Sequence, residues 1–308
     1  MATEYSIVIP VLALENNPYL DDLLKGLERQ TYLPNAVHLV VGDRRQGRAI
    51  NYGVSKVNSF YVGTLDDDSF VDDDQLFEKL CRAMNEDPSI GMAGAACEIP
   101  DWATDFQKRA MLEIPRRVFP TQKASVDSDM VQHPCLLMEK KFFDDIGGED
   151  EELIRGLDPV LRKKVRDKGR RVVVVANTWV YHLLPADLKK LCRMYYRNGK
   201  GSGYAQRFFP DRVLELTDGE DGGSFVEKRS FVYRLGRRAT SWLLSLVLGQ
   251  WIKMATDLSY GLGVVMESLL PSSQQSAPEI EKISEEEMTD FSYPILVHRV
   301  HLKPETTT

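Results

Sequence analysis

Residues 60–74 read FYVGTLDDDSFVDDD, an apolar run that ends abruptly in a cluster of carboxylates. Phe60, Tyr61, Val62 and Leu65 predict a short buried strand, because aromatic and β-branched side chains bounded by polar breakers suit a pleated interior. Asp66 and Asp68 stand two apart. On extended backbone their side chains leave the same face, so two hard oxygen ligands sit at the carboxyl end of a strand, where open α/β sheets gather ligands. Paired carboxylates plus substrate phosphates are the usual way to hold a magnesium- or manganese-type ion. The plainer alternative is a solvated acidic turn. It suits Asp72 to Asp74, which sit where they would cap the next helix, whereas charges adjoining a buried strand need a partner, which favours the metal for Asp66 and Asp68.

Upstream, YSIVIPV at residues 5–11 is a continuous β-branched run of the kind found in a parallel strand buried on both faces. Leu20, Leu23, Leu24 and Leu27 then recur at helical spacing, Val37 to Val41 supply a second strand, and Gln46 to Ser55 enter a helix. This alternation of strand and helix predicts right-handed crossovers and a doubly wound sheet. Its cleft would gather the loops that contain Glu15, Asp43 and Asp66.

Downstream, helix is expected over Leu76 to Met84, strand over Ile90 to Cys97, and a long insertion with some helix over Pro100 to Asp129. A short strand over Pro134 to Met138 precedes a helical turn that ends at Gly147 and Gly148, residues suited to positive φ. A helix from Pro159 to Lys168 and a strand from Arg171 to His182 close this part. Asp187 to Arg197 reads as a basic helix running into a flexible NGKGSG, and Asp218 to Gly223 as an acidic loop.

Arg234 to Leu270 is strongly apolar, but Lys253 and Asp257 interrupt it and each half is too short for an ordinary transmembrane helix. Two packed helices, or a helical pair dipping into one leaflet with Arg and Trp at its flanks, both fit. Pro271 to Asp290 reads as an acidic linker, and Phe291 to Leu302 as one late strand on a sheet edge. The organisation expected is therefore a domain over 1–185, a basic and apolar helical region over 186–270, and a linker and tail over 271–308.

At 308 residues the chain has room for one large α/β domain with an appendage. Its formal charge of −7 argues against a nucleic-acid binder, which would show a basic footprint. Cys81, Cys97, Cys135 and Cys192 lack metal-site spacing and read as reduced, packed residues. With no signal peptide at its start, the chain is expected in the cytoplasm, with membrane association through 234–270 as the one departure.

The ordered set YSIVIPVLALEN, LERQTYLPNAVHLVVGD, GRAINYGV, TLDDDS, DDIGGEDEEL, GLDPVLRKKVRDKG and NTWVYH resembles a family 2 glycosyltransferase over about the first two-thirds of the chain. The resemblance implies a GT-A fold, a Rossmann-like doubly wound mixed sheet here followed by a helical extension. It further implies an inverting enzyme that moves a sugar from a nucleoside-diphosphate sugar to a saccharide, lipid-linked or other hydroxyl acceptor with a divalent cation, Mn2+ or Mg2+. Asp66 and Asp68 would be its DxD carboxylates, and His182 a further metal ligand. Pro10, Glu15, Asp43, Arg48, Asn51, Asp66 and Asp67 would bind the nucleotide-sugar, and Asp158 would be the general base. Three departures stand out: Gly42 where the family often has Asp, Leu157 where it has Glu, and Glu149 where an aromatic residue is common.

The chemistry also follows from the residues. Displacing a nucleoside diphosphate from an anomeric carbon builds negative charge on the leaving oxygens, and an acceptor hydroxyl is a poor nucleophile until a carboxylate takes its proton. Asp158 followed by Pro159 is, equally, an ideal helix N-cap. His182 reads as a ligand or as a satisfied strand-end histidine. Arg193, Arg197 and Lys200 read as a mobile lid over the diphosphate or as a solvated basic face. His133 is expected near the acceptor strand with no assigned role, and His298 and His301 as ordinary tail residues. Two rivals complete the set: a phosphohydrolase with a strand-end Asp nucleophile, whose motif belongs on the first strand, and a sugar- or nucleotide-binding scaffold without turnover.

Overall fold

Strand β1 (Tyr5–Val11) alternates between two hydrophobic layers, with Tyr5, Ile7 and Ile9 packed into one and Val8 into the other. That is the period-two consequence of burying a strand on both faces. The computed structural model describes residues 4–15, 17–216, 225–226, 229–270, 278–288 and 290–303. The acidic loop expected over Asp218 to Gly223 lies outside them.

Helix α1 (Leu20–Glu28) follows, then β2 (Val37–Val41), α2 (Gln46–Lys56), β3 (Tyr61–Thr64) and the two-residue β4 (Ser69–Phe70). Strands β1, β2 and β3 are parallel, in the order β2-β1-β3. Next come α3 (Leu76–Glu86), β5 (Ile90–Glu98), α4 (Asp105–Glu113), β6 (Val126–Asp127), β7 (Leu136–Glu139), α5 (Lys140–Asp145), α6 (Leu157–Asp167) and β8 (Arg171–His182). Strand β7 runs antiparallel between β3 and β5, and β8 runs parallel to β5. One layer of core is built by α1 and α3 against the sheet, the other by α2, α5 and α6. The expectation of a mixed α/β sheet with helices on both faces is met.

The chain continues into α7 (Leu188–Phe208), a small hairpin of β9 (Glu215–Leu216) and β10 (Phe225–Val226), α8 (Phe231–Val247), α9 (Trp251–Leu269), β11 (Ile280–Met288) and β12 (Ile295–Leu302). The complete order of the large sheet is β11-β12-β2-β1-β3-β7-β5-β8-β4, with β6 beside β8.

Four sequence expectations need correction. Residues 198–203, NGKGSG, are helical and lie inside α7. A Cβ on Gly199 would stand 2.0 Å from the Tyr260 carbonyl oxygen, and one on Gly263 2.2 Å from that of Tyr196, so these glycines let α7 and α9 touch backbone to backbone. The stretch read as an acidic linker contains strand β11, whose antiparallel pairing with β12 makes β11 the edge and moves β12 inside. His298 is no ordinary tail residue, since it is fully buried on β12 and stacked on His38 of β2 at 5.4 Å between ring centres. Finally, Asp158 is not the N-cap of α6. The helix starts one residue earlier, behind Gly156 at φ +85, a left-handed turn that glycine adopts without strain.

Helices α8 and α9 are separate and joined at Gly249, whose φ is +65. Among the described residues no helix is long and apolar enough to cross a membrane. Trp242, Leu243, Leu246, Val247, Leu248 and Trp251 nevertheless point outward around that turn.

Candidate active site

The carboxyl ends of β3, β5 and β8 and the start of β7 share one rim of the sheet. Leu136 at the start of β7 pairs with Thr64 at the end of β3, and Tyr181 near the end of β8 pairs with Glu98 at the end of β5. After β3 the backbone turns back, with Ser69 N–H donating to the Asp66 carbonyl, and β4 pairs antiparallel with β8 so that Ser69 lies opposite His182. This register delivers the imidazole to the acidic turn. His182 Nε2 is 3.1 Å from Asp68 Oδ1.

Asp66, Asp68 and His182 each offer one ligand atom, and the three atoms lie within 4.8 Å of one another. Two carboxylate oxygens and one imidazole nitrogen form a donor set that suits Mn2+ and related divalent ions. The electrostatics are those of buried carboxylates that share one imidazole. Burial pushes the Asp66 carboxyl up, with Asp68 adding to the rise and His182 opposing it. Asp68 is held down despite burial, because His182 faces it as counter-charge and hydrogen-bond donor. The same pairing raises His182 against the desolvation that would lower it. Asp67 accepts from Asn17 Nδ2 at 2.8 Å, and burial followed by its two acidic neighbours pushes it up to about 7.

Asp66, His182, His133, Asp158, Arg117 and Arg155 all line one cleft of about 480 Å³. Gln46, at the start of α2, reaches in and donates to Asp66 Oδ1 at 2.8 Å. Asp158 sits in the first turn of α6, where its Oδ1 accepts from the backbone N–H of His133 at 2.8 Å and lies 2.6 Å from His133 Nδ1. Burial alone would raise this carboxyl, but the His133 charge and hydrogen bonds outweigh it and leave it well below the usual range. Desolvation against the cleft wall, and after it the like charges of Arg197 and Arg117, lower the Arg155 guanidinium, while Asp66 and Asp68 pull the other way.

The remaining predicted residues are not among those lining this cleft. Pro10 is half-buried in β1 and Glu15 is exposed in the loop after it. Asp43 is buried and ion-paired with Arg48 at 2.7 Å. Asn51 accepts from the Glu149 N–H at 2.8 Å and donates to the Glu149 carbonyl at 3.1 Å, clamping that residue's backbone. On α7, Arg193 and Arg197 are exposed, and Lys200 is 3.7 Å from the buried Glu267 of α9. Sequence reasoning overlooked Gln46, Arg117 and Arg155, and assigned nothing to His133. No spacing rule could have found them, since each meets the site through the fold.

Among curated proteins none matches this sequence. Solved structures with a similar chain path include a mannosyltransferase, PcManGT from Pyrobaculum calidifontis, in complex with GDP-Man and Mn2+. It is 12% identical with a TM-score of 0.49, over 87% of this chain and 76% of that one. GalNAc-T7 with UDP, GalNAc and Mn2+ is 15% identical at 0.47, over 92% and 60%. The catalytic domain of Drosophila beta1,4galactosyltransferase 7 in complex with xylobiose is 12% identical at 0.45, over 98% and 95%. Residues 18–147, from the loop ahead of α1 to the glycine after α5, match the family model described as glycosyl transferase family 2. Over those residues, somewhat under half of the chain, the sequence is similar to glycosyl transferase family 2.

Proposed function

We propose that the chain moves a sugar from a nucleoside-diphosphate sugar to an acceptor hydroxyl with inversion at the anomeric carbon. Asp66, Asp68 and His182 hold a divalent cation, and Asp158 acts as general base. One observation carries this reading: Asp66 and His182, two of the three grouped donors, line the same cleft as Asp158, a carboxylate from much later in the chain. A divalent cation bound there supplies charge stabilisation to the departing diphosphate. Arg197 on α7, with Arg155 and Arg117, adds positive charge on the diphosphate side. Opposite them, Asp158 takes the acceptor proton while the acceptor oxygen bonds to the anomeric carbon. The bond from that carbon to the diphosphate breaks, and its electron pair leaves with the nucleoside diphosphate.

The test is a thermal-shift panel of UDP-, GDP- and dTDP-linked sugars with and without Mn2+, followed by slow hydrolysis of the best donor. Metal-dependent binding and release of the opposite anomer support the reading. Binding without any turnover would overturn it in favour of a scaffold.

The outward apolar face at the α8–α9 turn, with exposed Arg237 and Arg238 one to two turns earlier, is further proposed to rest on an anionic lipid surface. Such a placement fits a lipid-linked acceptor. Sedimentation with phosphatidylglycerol vesicles, and its loss in Leu246→Glu, tests it.

A further inference from the structure

The Asp158 carboxylate is the half-buried end of a chain of three side chains whose other two members, His133 and Glu149, are buried. His133 is 3% exposed, and its two ring nitrogens face two carboxylates: Nδ1 lies 2.6 Å from Asp158 Oδ1, and Nε2 lies 2.8 Å from Glu149 Oε1. A neutral imidazole donates from one nitrogen only, so two ionised carboxylates are both satisfied only by the imidazolium. Glu149 is itself buried, and its second oxygen has no hydrogen-bond partner among the described residues. A buried, half-satisfied carboxylate is costly, and among the described residues its side-chain partner is His133. Asn51 fixes the Glu149 backbone from both sides, which aims the side chain.

We propose that His133 and Glu149 are positioning residues for Asp158: Glu149 anchors the imidazolium, and the imidazolium together with its backbone N–H fixes one oxygen of Asp158 so that the other meets the acceptor hydroxyl. The inference rests on the reading of Asp158 as the base. Both donors converge on Oδ1, while the Asp158 side chain keeps 31% exposure on the cleft. The other charges near this chain are Arg162, which faces Asp158 from one turn further along α6, then Arg116 and Asp129, and Asp66 across the cleft. Burial would lower His133, but Asp158 and Glu149 hold it well above the ordinary imidazole value. Glu149 occupies the position after the double glycine, so the arrangement belongs to this chain's own residues.

The test is the pH dependence of donor hydrolysis, with water in place of the acceptor and the best donor of the panel above. In His133→Asn, kcat is expected to fall about 100-fold, as for a reacting group displaced from its geometry. Donor KM stays within about twofold, and the acid limb moves to higher pH because Asp158 loses its counter-charge. Glu149→Gln preserves shape and a hydrogen-bond acceptor. It should lower the His133 titration and add an inflection to the profile, so it decides the matter even if His133→Asn fails to fold. An unmoved acid limb and no new inflection, with Asp158→Asn inactive, would overturn the positioning role and leave the base intact. Full hydrolysis by Asp158→Asn would instead overturn the base, and this inference with it.

Discussion

Ser69 of β4 lies directly opposite His182 of β8, and that pairing places the imidazole 3.1 Å from Asp68. The third member of the donor set is thus fixed by sheet register. His182→Ala is expected to weaken Mn2+-dependent nucleotide binding about 10-fold to 100-fold while leaving metal-free binding alone. Asp66→Ala is expected to abolish the metal-dependent part. Titration calorimetry with and without Mn2+ reads both, and equal affinities in all three proteins would remove the cation from these residues.

Asp158→Asn separates binding from chemistry. The variant keeps a side chain of the same shape against His133, so nucleotide affinity should persist. Transfer should fall by about 10²–10⁴-fold, the usual contribution of a positioned base. Single-turnover rates at saturating donor give the answer, and a rate within tenfold of wild type would sink the assignment.

Much of the sheet is legible in the chain because burial on both faces demands near-continuous β-branched runs, and YSIVIPV, VHLVV and RVVVV supply them. Strand β11, IEKISEEEM, escapes notice for the opposite reason. It is an edge strand whose charges face water, and charge is how an edge resists further pairing. The NGKGSG run misleads because glycine's local preference is for flexibility, whereas here the close contact with α9 outweighs that preference. At the site, the Asp66 and Asp68 pair is visible as spacing. The contact of His133 with Asp158 spans 25 residues and exists only once the segment ahead of β7 meets the first turn of α6.

The glycine contact between α7 and α9 leads to a stability prediction. In a solvated helix Gly→Ala is stabilising by about 1 kcal/mol. At Gly199 the new Cβ meets a backbone carbonyl 2.0 Å away, which cannot yield as a flexible side chain would. Gly199→Ala should therefore cost about 1–3 kcal/mol, as overpacking does. Gly236 on α8, whose Cβ would meet nothing within 4 Å, is the control, and there alanine should be neutral or stabilising. Urea midpoints of the two variants decide, and a stabilised Gly199→Ala would mean that the helices do not touch there.

His38 and His298 make stability depend on pH far from the cleft. Their rings stack within the sheet, with His38 Nδ1 3.1 Å from His298 Nε2. Burial first, then the nearby charges of His298 and Lys56, lowers His38 to about 4. An unfolded histidine titrates near 6.5. Between those values the unfolded chain takes up a proton that the folded one refuses. Stability is therefore full above about pH 6.5, falls as the pH drops through this window, and loses nothing more from this group below about pH 4. The gap corresponds to at most about 3.5 kcal/mol. His298 is lowered by its own burial, and the nearby Glu285 acts against that fall. Wild type and His38→Gln should therefore converge in urea midpoint as the pH falls from 6.5 to 4, because the variant lacks the refusing group. Parallel curves across that window would show that the buried pair is not what the acid attacks.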